Sequence, residues 1–188
     1  CILTQVTLKL LPAPKCSCTL VLPFPTLEDC ADMVPKVLDL PFTPTAIEFL
    51  ERELLDIVKR ALNKPFPVQE GGAVLIVMYD ASSREELDGA CAAACEAALA
   101  AGAIDCFIAD TPERSGSVWG VRGGILEGMK GDSVAQEECD VVVPRSEIAR
   151  YVKEAKRIGL SHGVRVEPCG HAGDGNIHTE LLRDPGMT

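Results

Sequence analysis

One stretch of the chain, residues 73–79, constrains the fold more than any other. It reads Ala-Val-Leu-Ile-Val-Met-Tyr, an uninterrupted apolar run of strand length that follows the pair Gly71-Gly72. A run of this kind offers water no polar side, so it is typical of a strand buried inside a sheet. We therefore expect a sheet with this strand in its centre, to which the rest of the chain adds helices and further strands.

The rest of the chain alternates between segments of period two and segments of period 3.6. Their apolar patterns and turn residues predict strands at 2–10, 16–24, 104–109, 139–144, 163–169 and 177–182, and helices at 26–38, 46–62, 84–101, 112–129 and 147–158. From residue 16 the order is β-α-α-β-α-β-α-β-α-β-β. This order favours an α+β fold, a ferredoxin-like α/β sandwich whose mostly antiparallel sheet has its helices packed on one face. A doubly wound parallel sheet is disfavoured, because no glycine-rich phosphate loop follows any predicted strand.

Composition narrows the function classes. The chain has 188 residues and a formal net charge of −10, with 47% hydrophobic and 24% charged residues, as in a soluble globular domain. Such an acidic surface argues against nucleic acid as a partner, since phosphates would be repelled. No apolar run approaches the roughly 20 residues of a membrane span. An anionic substrate would need a locally concentrated positive charge.

Nine cysteines are scattered along the chain, without a C-x-x-C pair. The odd number and the irregular spacing predict free thiols in a reducing cytoplasm, and they disfavour an iron–sulfur or zinc-ribbon site. The first residue is Cys1 rather than methionine, so we expect the sequence to be a fragment of a longer polypeptide.

Residues 170–178, Gly-His-Ala-Gly-Asp-Gly-Asn-Ile-His, hold two of the three histidines. Gly173–Asn176 has the composition of a tight turn between two strands, in which Asp174 is expected to bond its own backbone. His171 and His178 would lie on the two shoulders of that turn. Neutral imidazole is a common metal ligand, so this geometry suits a divalent ion that still needs a third ligand. An ordinary hairpin without a ligand remains open, and His162, at a predicted helix-to-strand corner, is expected to be solvated.

The same nine residues resemble the G-H-x-G-D-G-N-x-H signature of the FAD-linked oxidase C-terminal domain. This family includes glycolate oxidase, D-lactate dehydrogenase and D-2-hydroxyglutarate dehydrogenase, within the vanillyl-alcohol-oxidase class of flavoproteins. Three further segments extend the resemblance over nearly the whole chain. Residues 2–10 resemble the family's G-I-(V/I)-T-x-x-x-L-K-L-x-P run, Trp119–Arg122 is similar to its W-x-x-R segment, and residues 140–146 resemble its D-V-x-V-P-x-S run.

The resemblance implies a role for each site residue. His171 and His178 would be the catalytic pair and would hold a divalent metal, zinc, manganese or iron, against the substrate's 2-hydroxyl group. Arg122 would bind the substrate carboxylate, which its planar guanidinium can do bidentately. Asn176 would hydrogen-bond the flavin ring or the substrate.

One position departs from part of the family. D-2-hydroxyglutarate enzymes place a lysine two residues before the aspartate that corresponds to Asp140, whereas this chain has Glu138 there. The departure favours a short monocarboxylate such as glycolate or lactate. Asp140 itself could orient an imidazole from behind.

The resemblance also implies a domain organisation. Residues 1–14 would be the tail end of an FAD-binding domain and its linker, and residues 15–188 a substrate-binding cap domain. The glycine-rich part of the FAD-binding domain would precede Cys1, and an E-H-G-x-G motif that supplies a further metal ligand and a base would follow Thr188. The expected function is part of an FAD-dependent enzyme that oxidises a 2-hydroxy acid to a 2-oxo acid. Its expected partners are the FAD-binding domain of the same polypeptide, an iron–sulfur or other electron-transfer partner, and a second copy in a homodimer.

Two other function classes remain open. A stand-alone metal-dependent hydrolase would need a third ligand and a base within these residues, for which Glu180 lies at the right strand spacing from His178. A non-catalytic ferredoxin-like module that binds a small acid and mediates assembly would not depend on either histidine.

Overall fold

The computed structural model describes residues 2–130, 133 and 135–183. The strands within these residues are β1 (Cys16–Phe24), β2 (Ala46–Glu51), β3 (Ala73–Ala81), β4 (Phe107–Ala109), β5 (Ala135–Val142), β6 (Arg165–His171) and β7 (Asn176–Arg183). The helices are α1 (Leu27–Leu38), α2 (Arg52–Leu62), α3 (Arg84–Ala100), α4 (Pro112–Arg122), α5 (Ile125–Lys130) and α6 (Ile148–Ser161), with a 3₁₀ turn at Arg145–Glu147.

The seven strands form one sheet in the order β4-β1-β3-β2-β6-β7-β5. Every strand pair in this sheet is antiparallel. The predicted α+β class and the antiparallel sheet are therefore confirmed, and β3 lies inside the sheet as its apolar run predicts.

The distribution of the helices differs from the prediction, because they cover both faces of the sheet rather than one. Alternate residues of β3 enter different cores: Leu75 and Val77 pack with α1, α3 and α6, whereas Val74 and Ile76 pack with α2, α4 and α5. Successive side chains of a strand point to opposite faces, so the two cores lie on opposite sides. The continuous apolar run of β3 already required cover on both faces.

A second correction concerns residues 46–62, for which the sequence predicts one helix. The first six residues form β2, between β3 and β6, and only Arg52–Leu62 is helical. The apolar spacing of this segment fits both structures, and no glycine or proline marks the change. In the strand, four consecutive residues, 47–50, are buried, which places Glu48 inside the protein rather than on the polar side of a helix.

The strand predicted at 2–10 is not formed. Residues 2–14 have neither helix nor strand, and they are exposed, including large side chains such as Ile2 and Leu11. Alternation alone does not make a strand, since its backbone groups also need a partner strand, and no strand of the described sheet pairs with this segment.

The structure also bears on membrane spans and on the state of the cysteines. No helix in the described residues has the length and apolarity needed to cross a bilayer. The prediction that the thiols are free is wrong for Cys95 and Cys106, which form a disulfide between α3 and the segment before β4. Six other cysteines are free thiols, four of them buried. The cytoplasmic location stays a prediction.

The turn between β6 and β7 offers a first test of stability. At Gly175 (φ +83°) an added Cβ would lie 2.1 Å from the carbonyl oxygen of Val143, whereas at Gly163 (φ +68°) it would meet nothing within 4 Å. Gly163→Ala is expected to lower the free energy of unfolding by about 1 kcal/mol through backbone strain alone. Gly175→Ala adds a steric clash and should cost about 2–4 kcal/mol. Urea unfolding of both variants measures the difference, and equal losses would contradict the clash.

Glu167 on β6 provides a second test, because burial raises the pKa of its carboxyl group to about 7 from 4.5. Since the folded-state pKa is the higher one, the folded protein binds the proton more tightly. The stabilising contribution is complete below pH 4.5 and is lost as the pH rises through about 7. Relative to wild type, Glu167→Gln should therefore become progressively more stable between pH 4.5 and 8 in urea unfolding. The exposed Glu154→Gln is the control, and parallel pH profiles of wild type and Glu167→Gln would contradict the assignment.

Candidate active site

The hairpin of β6 and β7 carries both histidines, as the sequence predicts. Residues 172–175 form the turn, in which the Asp174 carboxylate accepts a hydrogen bond from the Asn176 backbone N–H at 3.0 Å. Asp174 is thus a turn residue, as expected. In the β6–β7 register His171 lies opposite Asn176 and Cys169 opposite His178. Residues two apart share a face, so His171, Asn176 and His178 all lie on the face that is covered by α2, α4 and α5.

The two imidazoles lie side by side on that face. Their ring centroids are 5.2 Å apart, with the ring planes at 81° in an edge-on arrangement. Each ring uses Nδ1 towards a carboxylate: His171 contacts Glu48 Oε1 at 2.6 Å, and His178 contacts Glu138 Oε1 at 2.8 Å. Asp140 is 3.5 Å from His178 Nδ1. Since a carboxylate accepts, Nδ1 donates and Nε2 carries the lone pair in each neutral ring.

Arg122 joins this group from the last turn of α4. Its Nε donates to Glu48 Oε2 at 2.9 Å, so Glu48 bridges Arg122 and His171 with its two oxygens. The side chains of Glu48 and Arg122 are only 7% and 17% exposed. Residues 48, 122 and 171, distant in sequence, therefore form one connected group.

Hydrogen bonds to β1 hold α4 in place. Thr19 on β1 is fully buried, and its hydroxyl accepts from the Trp119 indole N–H at 3.0 Å and hydrogen-bonds Ser115 at 2.9 Å. These bonds fix the helix one turn before Arg122. In the W-x-x-R segment, Trp119 thus has a structural role. The Arg122 guanidinium contacts Glu48, which also contacts His171.

A small cavity of about 110 Å³ opens beside this group. Its charged and polar walls include Arg122, Glu138, His178 and Glu180, and Ile125 and Leu126 of α5 supply apolar surface. This volume is well below the roughly 300–1,000 Å³ of drug-sized ligand pockets. The cavity can therefore hold only a small polar group or a molecule of a few heavy atoms.

Burial raises the pKa of two further titratable groups in the wall, Glu180 and Cys169. Burial raises the pKa of Glu180 above its ordinary value, although a hydrogen bond from Gln136 at 2.7 Å acts in the opposite direction. Burial also raises the pKa of Cys169 to about 12, so this residue is a thiol and not a thiolate ligand at neutral pH.

The two imidazoles provide two nitrogen ligands for a divalent ion, and their carboxylate partners resemble the support that metal-bound histidines receive in proteins. Among the described residues, however, no group of three or more His, Cys, Asp and Glu side chains is arranged to hold a metal ion. The described part of the chain therefore fits a metal only in part. The third ligand that the sequence analysis called for is not found there.

Two other predicted residues occupy different surroundings. Asn176 lies in the strand register beside His171, and its buried Oδ1 has no hydrogen-bond partner within the described residues. His162 is exposed at the end of α6, as expected for a solvated side chain. Asn176 thus lies on the same face of the sheet as the two histidines, whereas His162 lies at the end of α6.

Glu48 is the site residue that sequence reasoning missed. The helix predicted at 46–62 put it among surface acids. A signal was present: Ala-Ile-Glu-Phe-Leu follows Pro44-Thr45 as a strand-length segment with one acid among apolar residues, and a single acid in such a segment is a candidate buried group.

Comparisons with known proteins identify the family of this chain. The family described as "FAD linked oxidases, C-terminal domain" matches residues 13–188. D-lactate dehydrogenase of Anaerostipes hadrus is 41% identical over 94% of this chain and 38% of its own length. D-lactate dehydrogenase of Archaeoglobus fulgidus is 30% identical over 96% of this chain and 39% of its own length. The chain therefore spans well under half of these relatives.

A solved structure supports the fold. The 4-ethylphenol oxidase from Gulosibacter chungangensis superposes with a TM-score of 0.63 over 92% of this chain and 40% of that one, at 14% sequence identity. The family match covers nearly all of the chain and includes the histidine turn and Arg122. The chain therefore belongs to the family of FAD-linked oxidase C-terminal domains.

Proposed function

We propose that this chain is the substrate-binding part of an FAD-dependent enzyme that oxidises a short 2-hydroxy monocarboxylate to the 2-oxo acid. The observation that carries the proposal is that Arg122 and His178 line the same small cavity, with His171 tied to Arg122 through Glu48. Such a substrate has a carboxylate and a hydroxyl on neighbouring carbons, so it needs a cation and a hydroxyl-binding group a short distance apart. D-lactate, the substrate in the names of two relatives, has this form.

Each group then has a defined task. The Arg122 guanidinium binds the carboxylate through charge-assisted hydrogen bonds. The Nε2 lone pairs of His171 and His178 bind the 2-hydroxyl end of the substrate, and a base outside the described residues takes the hydroxyl proton as the alcohol becomes a ketone. Asn176, with its unpartnered Oδ1, hydrogen-bonds the bound ligand. FAD, when bound, supplies the acceptor for the hydride from the hydroxyl-bearing carbon.

A divalent metal belongs to the same proposal. His171 and His178 would be its ligands within this chain, with a third ligand from outside the described residues. It would supply a positive charge that favours loss of the hydroxyl proton. The carboxylate partners of both Nδ1 atoms support this, and metal analysis of the flavin-loaded full-length protein, wild type against His171→Ala, tests it.

The further partners are also proposals. Residues 1–14 would connect to the FAD-binding domain, and their exposed apolar side chains suit burial against that domain or a second copy. The reduced flavin would pass its electrons to an iron–sulfur or other electron-transfer partner. A stand-alone hydrolase is less favoured, because no group of three or more His, Cys, Asp and Glu side chains in the described part of the chain is arranged to hold a metal ion.

Arg122→Ala in the flavin-loaded full-length protein tests the carboxylate anchor. Loss of charged hydrogen bonds to the substrate should lower kcat/KM for D-lactate by roughly 10²–10⁴-fold, mostly through KM. Arg114→Ala is the matched control, since Arg114 is on the same helix in an exposed ion pair with Asp110. Steady-state kinetics with an artificial electron acceptor give the result, and equal KM values for the two variants would refute the anchor.

Glu138→Lys tests the preference for a monocarboxylate. Glu138 lines the cavity, and reversal of its charge should admit a second carboxylate. The ratio of kcat/KM for D-2-hydroxyglutarate to that for D-lactate is expected to rise by roughly tenfold or more, even as loss of the His178 contact slows both reactions.

Glu137→Lys makes the same charge change one residue away, on the opposite face of β5. It should leave the ratio unchanged. A ratio that does not rise in Glu138→Lys, or that rises equally in both variants, would contradict a role for Glu138 in selectivity.

A further inference from the structure

Glu48 is a buried acid of the site to which the proposed function assigns no contact with the substrate. Only five polar or charged residues of the described chain are buried, and Glu48 is one of them at 5% exposure. A carboxylate in such surroundings is costly unless its oxygens are bonded to charged or polar partners. Both of its oxygens are used, one by Arg122 and the other by His171.

The contact with Arg122 decides which atoms of the guanidinium remain for a substrate. Glu48 takes Nε at 2.9 Å, which leaves the two terminal nitrogens, Nη1 and Nη2, for a carboxylate approaching end-on. The guanidinium is rigid and planar, so a fixed Nε also fixes the plane in which that carboxylate must lie. Glu48 thereby sets the orientation of the substrate-binding fork.

The contact with His171 decides the form of the imidazole. A carboxylate 2.6 Å from Nδ1 requires this nitrogen to donate, which puts the ring's lone pair on Nε2. Because the same carboxylate holds Arg122, movement of either partner is transmitted to the other.

We propose that Glu48 is a positioning residue that sets the separation and orientation of the carboxylate-binding Arg122 and the hydroxyl-binding His171. This inference rests on the proposed function. Glu48 does not touch the substrate. It couples the two ends of the binding site, so that a 2-hydroxy carboxylate is held with both groups engaged at once.

Glu51 on the same strand offers a matched control. It too is an acid in an ion pair, with Lys156 of α6, and its side chain is 15% exposed. Its partner lies on a different helix from Arg122. Glu51 is hydrogen-bonded to neither Arg122 nor the two histidines. Glu51→Gln therefore weakens a comparable ion pair on β2 away from the site.

The test compares Glu48→Gln, Glu48→Ala, Arg122→Ala and Glu51→Gln in the flavin-loaded full-length protein. In Glu48→Gln the amide oxygen can still accept from Arg122 Nε, but the NH₂ group must donate to His171 Nδ1, which moves the ring proton to Nε2. We expect kcat to fall by roughly 10–100-fold, as for other residues that orient an active-site imidazole. KM should change by less than about threefold, because the Arg122 contact survives.

Glu48→Ala removes both contacts. It should lower kcat and also raise KM by roughly tenfold or more. A readout without turnover accompanies the kinetics: pyruvate, the product of D-lactate oxidation, should bind with nearly wild-type Kd to Glu48→Gln, and at least about tenfold more weakly to Glu48→Ala, measured by the change in flavin absorbance. Thermal unfolding shows which variants are folded, and Glu48→Asp replaces any that is not. Glu48→Asp keeps the charge but is one methylene shorter, so it too should show a raised KM.

The outcomes separate this inference from the function on which it rests. If Arg122→Ala raises KM while Glu48→Gln matches Glu51→Gln in kcat, Glu48 is only structural and the inference is wrong. If Glu48→Ala leaves KM and the Kd of pyruvate unchanged, coupling to Arg122 is also refuted. If Arg122→Ala itself leaves KM unchanged, the proposed carboxylate anchor fails, and the inference fails with it.

Discussion

The structure depends on a short seam in the middle of its sheet, the ladder between β2 and β6. Only three residue pairs form it: Glu48 with His171, Phe49 with Gly170, and Leu50 with Cys169. On one side lies the four-stranded part β4-β1-β3-β2, and on the other β6-β7-β5. Gly170 has no room for a side chain, since an added Cβ would lie 2.3 Å from the Asn176 carbonyl oxygen. The backbone register of the seam therefore places Glu48 next to His171, whatever conformations the side chains adopt.

The helical layer adds Arg122 to the two residues that the seam brings together. α4 carries Arg122 and is held to β1 by the hydrogen bonds of Thr19 with Trp119 and Ser115. β1 belongs to the four-stranded part, so Arg122 is positioned from that part while the histidines belong to the other. Glu48 lies between them and contacts both. The geometry of the site thus depends on how the two parts of the sheet are positioned relative to each other.

The sequence predicts those features that depend on neighbouring residues. The histidine hairpin is one, because its turn residues and flanking strands are contiguous. β3 is another, and so is the helix predicted at 26–38, at whose start the Thr26 hydroxyl accepts from the backbone N–H of Asp29. The sequence does not predict features that depend on partners distant in the chain. It places Glu48 in a helix, because positions 47, 50 and 54 fit a helical period as well as a strand. β2 passes into α2 without a glycine or proline to mark the boundary.

Three further features show the same limit. The apolar alternation of residues 2–10 is a good strand pattern without a partner strand, and the Cys95–Cys106 disulfide joins residues whose spacing gave no sign of pairing. Arg122 was identified through the resemblance to a known family, not through its chemistry. An arginine near the end of a helix is ordinary until the fold shows a buried carboxylate 2.9 Å from its Nε.

The charges of the site bear on how an acidic chain can bind an anion. The formal net charge is −10, and Arg122 forms an ion pair with Glu48 within the site, so the pair itself has no net charge with which to attract an anion. Attraction must then come from the direction of the guanidinium N–H groups, which are partly withdrawn from water and therefore interact more strongly with a carboxylate than they would in solvent. A neutral pair also binds an anion without leaving a bare buried cation when the substrate departs. An arrangement of this kind favours selectivity by shape and hydrogen-bond geometry over affinity by charge, which would suit the small 2-hydroxy acid proposed as the substrate.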